Sequence, residues 1–154
     1  MSGAICLVDT SVLLEILEVP GKCGNRQSIL DDLETKIKDK EVLFLPLATI
    51  IETGNHVAQN GNGSQRRKCA DVFVKFVQDA LDGKSPFQPI KFIENEQLHE
   101  IISQFTDYAM KGISLGDACI IDDYKRLCEQ HKHKTIYVWA LDGDLSSYRQ
   151  TSRV

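Results

Sequence analysis

The hydrophobic period of the chain changes abruptly at an aspartate near its start. Ala4 to Val8 is a short unbroken apolar run, the pattern of a strand covered on both faces of a parallel sheet. After Asp9 the residues Val12, Leu13, Ile16 and Leu17 recur at the i, i+1, i+4, i+5 spacing of a helix, with Thr10 or Ser11 able to cap it. The switch puts Asp9 at the carboxyl end of a buried strand, where open α/β sheets bind their ligands. A plain capping role fits the same residues, so other carboxylates at equivalent places must decide between the two.

The alternation continues along the chain. Breakers over 19–25 separate the first helix, about 10–18, from a second over about 26–39, whose buried stripe is Ile29, Leu30, Leu33 and Ile37. Glu41 to Leu45 is a second apolar strand; Pro46 ends it and opens a helix over about 48–58. Asn60 to Ser64 is a loop tip, and Val72, Phe73, Phe76, Val77 and Ala80 mark a helix over 65–81. A third strand is expected at 90–93, helices at 96–110 and 116–130, and a fourth strand at 135–141. Strands separated by helices imply a parallel sheet with right-handed crossovers. The length of 154 residues suits a single domain over 1–154.

Composition narrows the function classes. An apolar content of 42% and a charged content of 26% exclude global disorder. The formal net charge of −4 argues against a uniformly basic nucleic-acid coat, although an acidic cluster can mask a local basic patch. The cysteines Cys6, Cys23, Cys69, Cys119 and Cys128 are scattered without a C-x-x-C pair, which suits free thiols in a reducing cytosol. No apolar stretch approaches a bilayer span, so a soluble cytoplasmic protein without membrane association is expected.

Three further acids repeat the placement of Asp9. Glu52 lies in the helix after the second strand, on one face with Ala48, Thr49 and His56. Asp117 opens a helix whose next residues, Ala118 to Ile121, are apolar all round; the helix dipole would help hold it ionised, and Ser114 could cap it. Asp142 follows the fourth strand, as Asp9 follows the first, although Asp142-Gly143 is also an ordinary turn dipeptide. All these acids converge on one edge of the sheet.

The order Val8-Asp9-Thr10-Ser11-Val12-Leu13-Leu14, Pro46-x-Ala48-x-x-x-Glu52, Gly116-Asp117-Ala118-x-Ile120-Ile121 and Leu141-Asp142-Gly143-Asp144 resembles a PIN domain. This is the nuclease fold of VapC-type toxins and many RNA-processing proteins. The resemblance spans essentially the whole chain. It implies a three-layer α/β/α sandwich around a mostly parallel sheet of four to five strands, and a substrate of single-stranded RNA cut at a phosphodiester. It also implies a small antitoxin or other protein partner, as in toxin–antitoxin or defence systems, and a homodimer. Two departures stand out: Ala140 occupies a position where family members often carry threonine, and the chain leaves little room for a final strand.

The chemistry can be argued from the acids themselves. Two carboxylates about 5 Å apart repel by roughly 3 kcal/mol at an effective dielectric constant near 20, so such a cluster requires protons or a cation. Hard oxygen donors suit Mg²⁺ or Mn²⁺, which can activate water and stabilise a leaving oxygen. Asp9, Glu52, Asp117 and Asp142 are therefore the expected metal ligands and catalytic residues, with Ser11 as hydroxyl helper and Asp144 as an outer ligand or turn residue. Glu15, Asp122 and Asp123 are expected to be solvated. Arg66, Arg67, Lys68 and Lys111 are candidates for RNA contact, and Lys125, Arg126 and the 131–134 stretch form a second basic group.

Two other classes fit some of these features. A PIN-like scaffold without catalysis would explain Ala140. A phosphatase of the haloacid dehalogenase type would use strand-terminal Asp9, but it needs a second aspartate where the chain has Ser11.

Overall fold

The computed structural model describes residues 3–91 and 93–152. Four parallel strands, β1 (Ile5–Val8), β2 (Val42–Leu45), β3 (Phe87–Pro89) and β4 (Ile136–Trp139), are completed by a short antiparallel β5 (Arg149–Gln150). The sheet order is β3-β2-β1-β4-β5, which puts the first strand at the centre. Its helices are α1 (Thr10–Ile16), α2 (Arg26–Lys38), α3 (Leu47–Ala58), α4 (Gly63–Leu81), α5 (Asn95–Met110), α6 (Leu115–Gln130) and a single turn, α7 (Gly143–Ser146). This is the expected three-layer α/β/α sandwich.

The period of two along β1 divides the core. Cys6 and Val8 face one side, with Val12 and Leu13 of α1, Ile29 of α2, Val57 of α3 and Ala80 of α4. Ile5 and Leu7 face the other, with Ile120, Ile121 and Leu127 of α6 and Leu145 of α7. Covered on both faces, β1 tolerates no polar residue until its last peptide, and Asp9 follows immediately. Trp139 of β4 accepts a hydrogen bond from the Asp9 backbone N–H at 3.0 Å, and the Thr49 hydroxyl of α3 donates to the Val8 carbonyl at 2.8 Å. Two neighbouring elements are thus fastened to the carboxyl end of the central strand.

Several expectations are corrected. The third strand is Phe87–Pro89 rather than 90–93; Phe92 lies outside the described residues. Phe87 anchors β3 because its ring packs on Phe76 of α4 with centroids 5.0 Å apart, and burial outweighs the more apolar run that follows. Ile37, expected in the buried stripe of α2, is exposed, since that helix meets the core along a narrower stripe than its sequence suggests. A final strand does form, because two residues suffice for Gln150 and Arg149 to pair with Ile136 and Tyr137. No helix among the described residues is long and apolar enough to cross a membrane.

Replacing Thr49 with valine removes the side-chain donor to the Val8 carbonyl without changing volume much. We expect Thr49→Val to lower unfolding stability in urea by about 1–3 kcal/mol, the cost of desolvating an unpaired polar group; an unchanged midpoint would show that α3 is held by apolar packing alone.

Candidate functional site

The carboxyl edge of the sheet gathers the acids. Asp9 is 4% exposed and caps α1, its Oδ2 accepting hydrogen bonds from the Ser11 backbone N–H at 3.2 Å and the Ser11 hydroxyl at 2.7 Å. That hydroxyl accepts from the Leu141 N–H at 3.0 Å, which ties the segment beyond β4 to the start of α1. Burial pushes the Asp9 carboxyl above its usual range, against the lowering effect of the Ser11 hydrogen bonds. The capping role and the site role therefore coexist in one side chain.

Glu52 reaches the same edge from α3. Its Oε2 accepts from the Thr10 hydroxyl at 3.1 Å, and its other oxygen lies where residue 116 would carry a side chain. A Cβ on Gly116 would stand 1.7 Å from Glu52 Oε1 and 2.6 Å from its carboxyl carbon. Glycine leaves room for the Glu52 carboxylate in its present position, which any side chain here would displace.

Asp117 begins α6, where its backbone N–H is capped by Ser114 Oγ at 3.1 Å. Its carboxyl is pushed up to about 6, first by burial and then by the negative charges of Asp9, Glu52 and Asp142. Asp142 caps α7 by accepting from the Leu145 N–H at 2.8 Å and is otherwise exposed. The acids sense one another electrostatically, and none of the ion pairs found among the described residues includes one of them. They do not, however, close into a tight group: among the described residues no three His, Cys, Asp or Glu side chains stand ready to enclose an ion directly. The arrangement is an open crescent of oxygen donors. Carboxylate oxygens of this kind are donors that hard cations accept.

No family model and no curated protein matches the chain. Solved structures do. VapC20 of Mycobacterium tuberculosis, described as a sarcin-ricin loop cleaving toxin, superposes with a TM-score of 0.63 over 92% of this chain and 93% of that one, at 13% identity. FitAcB from Neisseria gonorrhoeae gives 0.56 over 89% and 87% at 21% identity, and FitAB bound to an IR36 DNA fragment gives 0.54 over 91% and 87% at 22%. The chain has the PIN-domain fold.

Within this PIN fold, other charged residues fall in places that the sequence did not indicate. A cavity of about 330 Å³ is lined by Asp9, Thr10, Ser11, Glu52 and Asp117, together with Lys22 and His56. A second, of about 580 Å³, joins Asp117 and Asp142 to Asp144 and Lys111. Lys111 is thus beside the acids as expected, whereas Arg66, Arg67 and Lys68 lie exposed at the start of α4 and line neither cavity. In the sequence Lys22 stands only in a loop, Thr10 only as a possible helix cap and Gly116 only within a motif. His56 had been noted only as a neighbour of Glu52 on α3.

The three acids expected to be solvated are not. Glu15 is 3% exposed and accepts the Asn25 N–H at 3.0 Å, pinning the loop before α2 to α1. Asp122 pairs with Arg126 one turn on. Asp123 is half-buried, and burial followed by the charge of Asp122 pushes its carboxyl up to about 7. Position around one helix cannot show what other elements place on top of it.

The raised carboxyls have a defined effect on stability. A group whose pKa is higher in the folded state binds its proton more tightly there, so it favours folding at low pH and loses that effect as pH rises. For Asp117 the loss falls between about 4, the ordinary value, and about 6. We therefore expect the metal-free protein to melt a few degrees higher at pH 5 than at pH 7, and Asp117→Asn to raise the pH 7 melting temperature. A flat profile would mean that burial and the neighbouring charges do not raise the Asp117 carboxyl. Gly116→Ala should displace the Glu52 carboxylate, which calorimetry would read as weaker Mn²⁺ binding with a melting temperature close to that of the parent.

Proposed function

We propose that the chain is a metal-dependent endoribonuclease acting on single-stranded RNA, with Asp9, Glu52, Asp117 and Asp142 as its metal ligands. The observation that carries this reading is the crescent of four carboxylates from separate elements, held at one edge without neutralising partners. Bound Mg²⁺ or Mn²⁺ would supply an activated water and charge stabilisation at the phosphorus. The chain's own residues do the rest. Ser11 holds the Asp9 carboxylate in place, Thr10 holds that of Glu52, and Gly116 leaves it room. One of these acids would take the proton from the attacking water, and Asp144 lines the adjoining cavity with Asp117 and Asp142.

The biological role we propose is that of a toxin in a toxin–antitoxin pair, supported by likeness in fold to a toxin that cleaves the sarcin-ricin loop. Its protein partner would use the apolar groove lined by Leu47, Ile51, Ile90 and Leu115, which runs up to Glu52 and Asp123. Those acids would favour a partner segment carrying apolar residues with a basic one. Exposed Leu98 and Ile102, one turn apart on α5, support self-association as a dimer, and a cytoplasmic site of action belongs to the same proposal.

A second reading, a PIN-like scaffold without catalysis, draws on Ala140 and on the openness of the crescent. Ala140 packs against the core on the α6 side and brings no hydroxyl to the site.

The deciding experiment incubates purified protein with a pool of labelled single-stranded RNAs and Mn²⁺, Mg²⁺ or EDTA, beside Asp9→Asn and Asp117→Asn. Cutting that needs metal and falls at least about a hundredfold in both variants is the expected result. Equal inertness of all three proteins, with no Mn²⁺ binding by calorimetry, would establish the scaffold instead.

A further inference from the structure

Lys22 and His56 stand where two cavities meet. Both line the cavity that holds Asp9, Glu52 and Asp117, and both line a second one, of about 360 Å³, formed with Val19, Pro20, Gln59, Asn60 and Gly61. On the opposite side Asp117 is shared with the cavity that contains Lys111 and Asp142. The three hollows therefore form one track: the Lys22/His56 lip, the acids in the middle, and Lys111 beyond.

The side chains on this lip are an exposed lysine and a half-buried histidine. They come from different elements, Lys22 from the loop between α1 and α2 and half-buried His56 from the last turn of α3. Although they border a cavity lined by four acids, Asp9, Glu15, Glu52 and Asp117, neither side chain joins an ion pair or hydrogen bond among the described residues. By contrast, exposed Lys38 and Lys75 both pair with acids on their own helices. An ammonium group and an imidazole N–H left free beside a site for a polyanion are suited to accept an anion of their own.

We propose that Lys22 and His56 form a phosphate subsite that holds the backbone phosphodiester next to the scissile one and leads the strand into the cavity beside Pro20 and Asn60. This rests on the nuclease reading for the nature of the ligand. Lys22 supplies charge, and His56 supplies a directed ring N–H, so the two contribute differently. The acids then act on the neighbouring phosphate, and Lys111 receives the strand on the far side. Both are positioning residues; neither takes part in bond making or breaking.

The test uses anisotropy of a fluorescein-labelled single-stranded RNA bound to full-length Asp117→Asn protein, titrated over a range of KCl concentrations. Adding Lys22→Gln should weaken binding about tenfold and make the slope of log K against log salt shallower by about 0.7, the value for one phosphate contact on a single strand. Adding His56→Gln should weaken binding with a smaller change of slope, and Lys38→Gln should alter neither. In the protein with Asp117 intact, Lys22→Gln should raise KM while kcat stays near the parent value. If RNA binds but the Lys22 and His56 variants match the parent in affinity and slope, the subsite is refuted and the nuclease reading stands. If the parent binds no RNA at any salt, both fall together. Melting curves of each variant keep loss of folding from passing as loss of contact.

Discussion

Parallel pairing of β1 with β2 on one side and β4 on the other is the constraint from which the site follows. Parallel strands all bring their carboxyl ends to the same edge, and that edge is where the backbone leaves the sheet to begin its helices. Asp9 and Asp142 follow the paired ends of β1 and β4, while Glu52 and Asp117 arrive on helices packed against them. The apolar core on both faces of β1 holds these groups together despite their like charge.

That opposition is softened locally. The Ser11 hydroxyl and N–H serve Asp9, the Thr10 hydroxyl serves Glu52, and the Leu145 N–H serves Asp142. The Ser11 hydrogen bonds favour the ionised form of Asp9 and the Ser114 bond that of Asp117, yet the balance for both remains on the side of a raised pKa because burial outweighs them. Burial is thus the larger cause of the raised carboxyls, and the like charges of the neighbouring acids add to it. Gly116 shows how closely the backbone is fitted to these acids, since a single methyl group would occupy the space of a carboxylate oxygen.

Much of this could be read from the letters. The change of period at Asp9 gave the strand, the helix and the acid together, and the strand-helix alternation gave the layers and the parallel sheet. Phe87–Pro89 was missed because its strand character comes from pairing with β2 and from packing on Phe76, neither of which is local. Lys22 was passed over for a related reason: it lies in a Pro- and Gly-containing loop, and only the fold brings that loop beside His56. The basic run Arg66-Arg67-Lys68 drew attention through its sequence density, whereas cations near the acids are dispersed singly. Buried Glu15 looked like a solvated helix residue because its partner, the Asn25 N–H, belongs to the next segment.

The central position of β1 also governs when the site can exist. A growing chain emerges from its N-terminal end, so Asp9 and Glu52 are made early, while β4 and Asp142 come after nearly all the intervening helices. Because β4 inserts beside β1 rather than beside its predecessor in sequence, the last acid joins the first only through the longest loop closure in the sheet. A ribosome-bound nascent chain thus carries an incomplete crescent. The topology that brings the acids to one edge therefore makes the crescent depend on the pairing of the two strands that lie farthest apart in sequence among the paired strands.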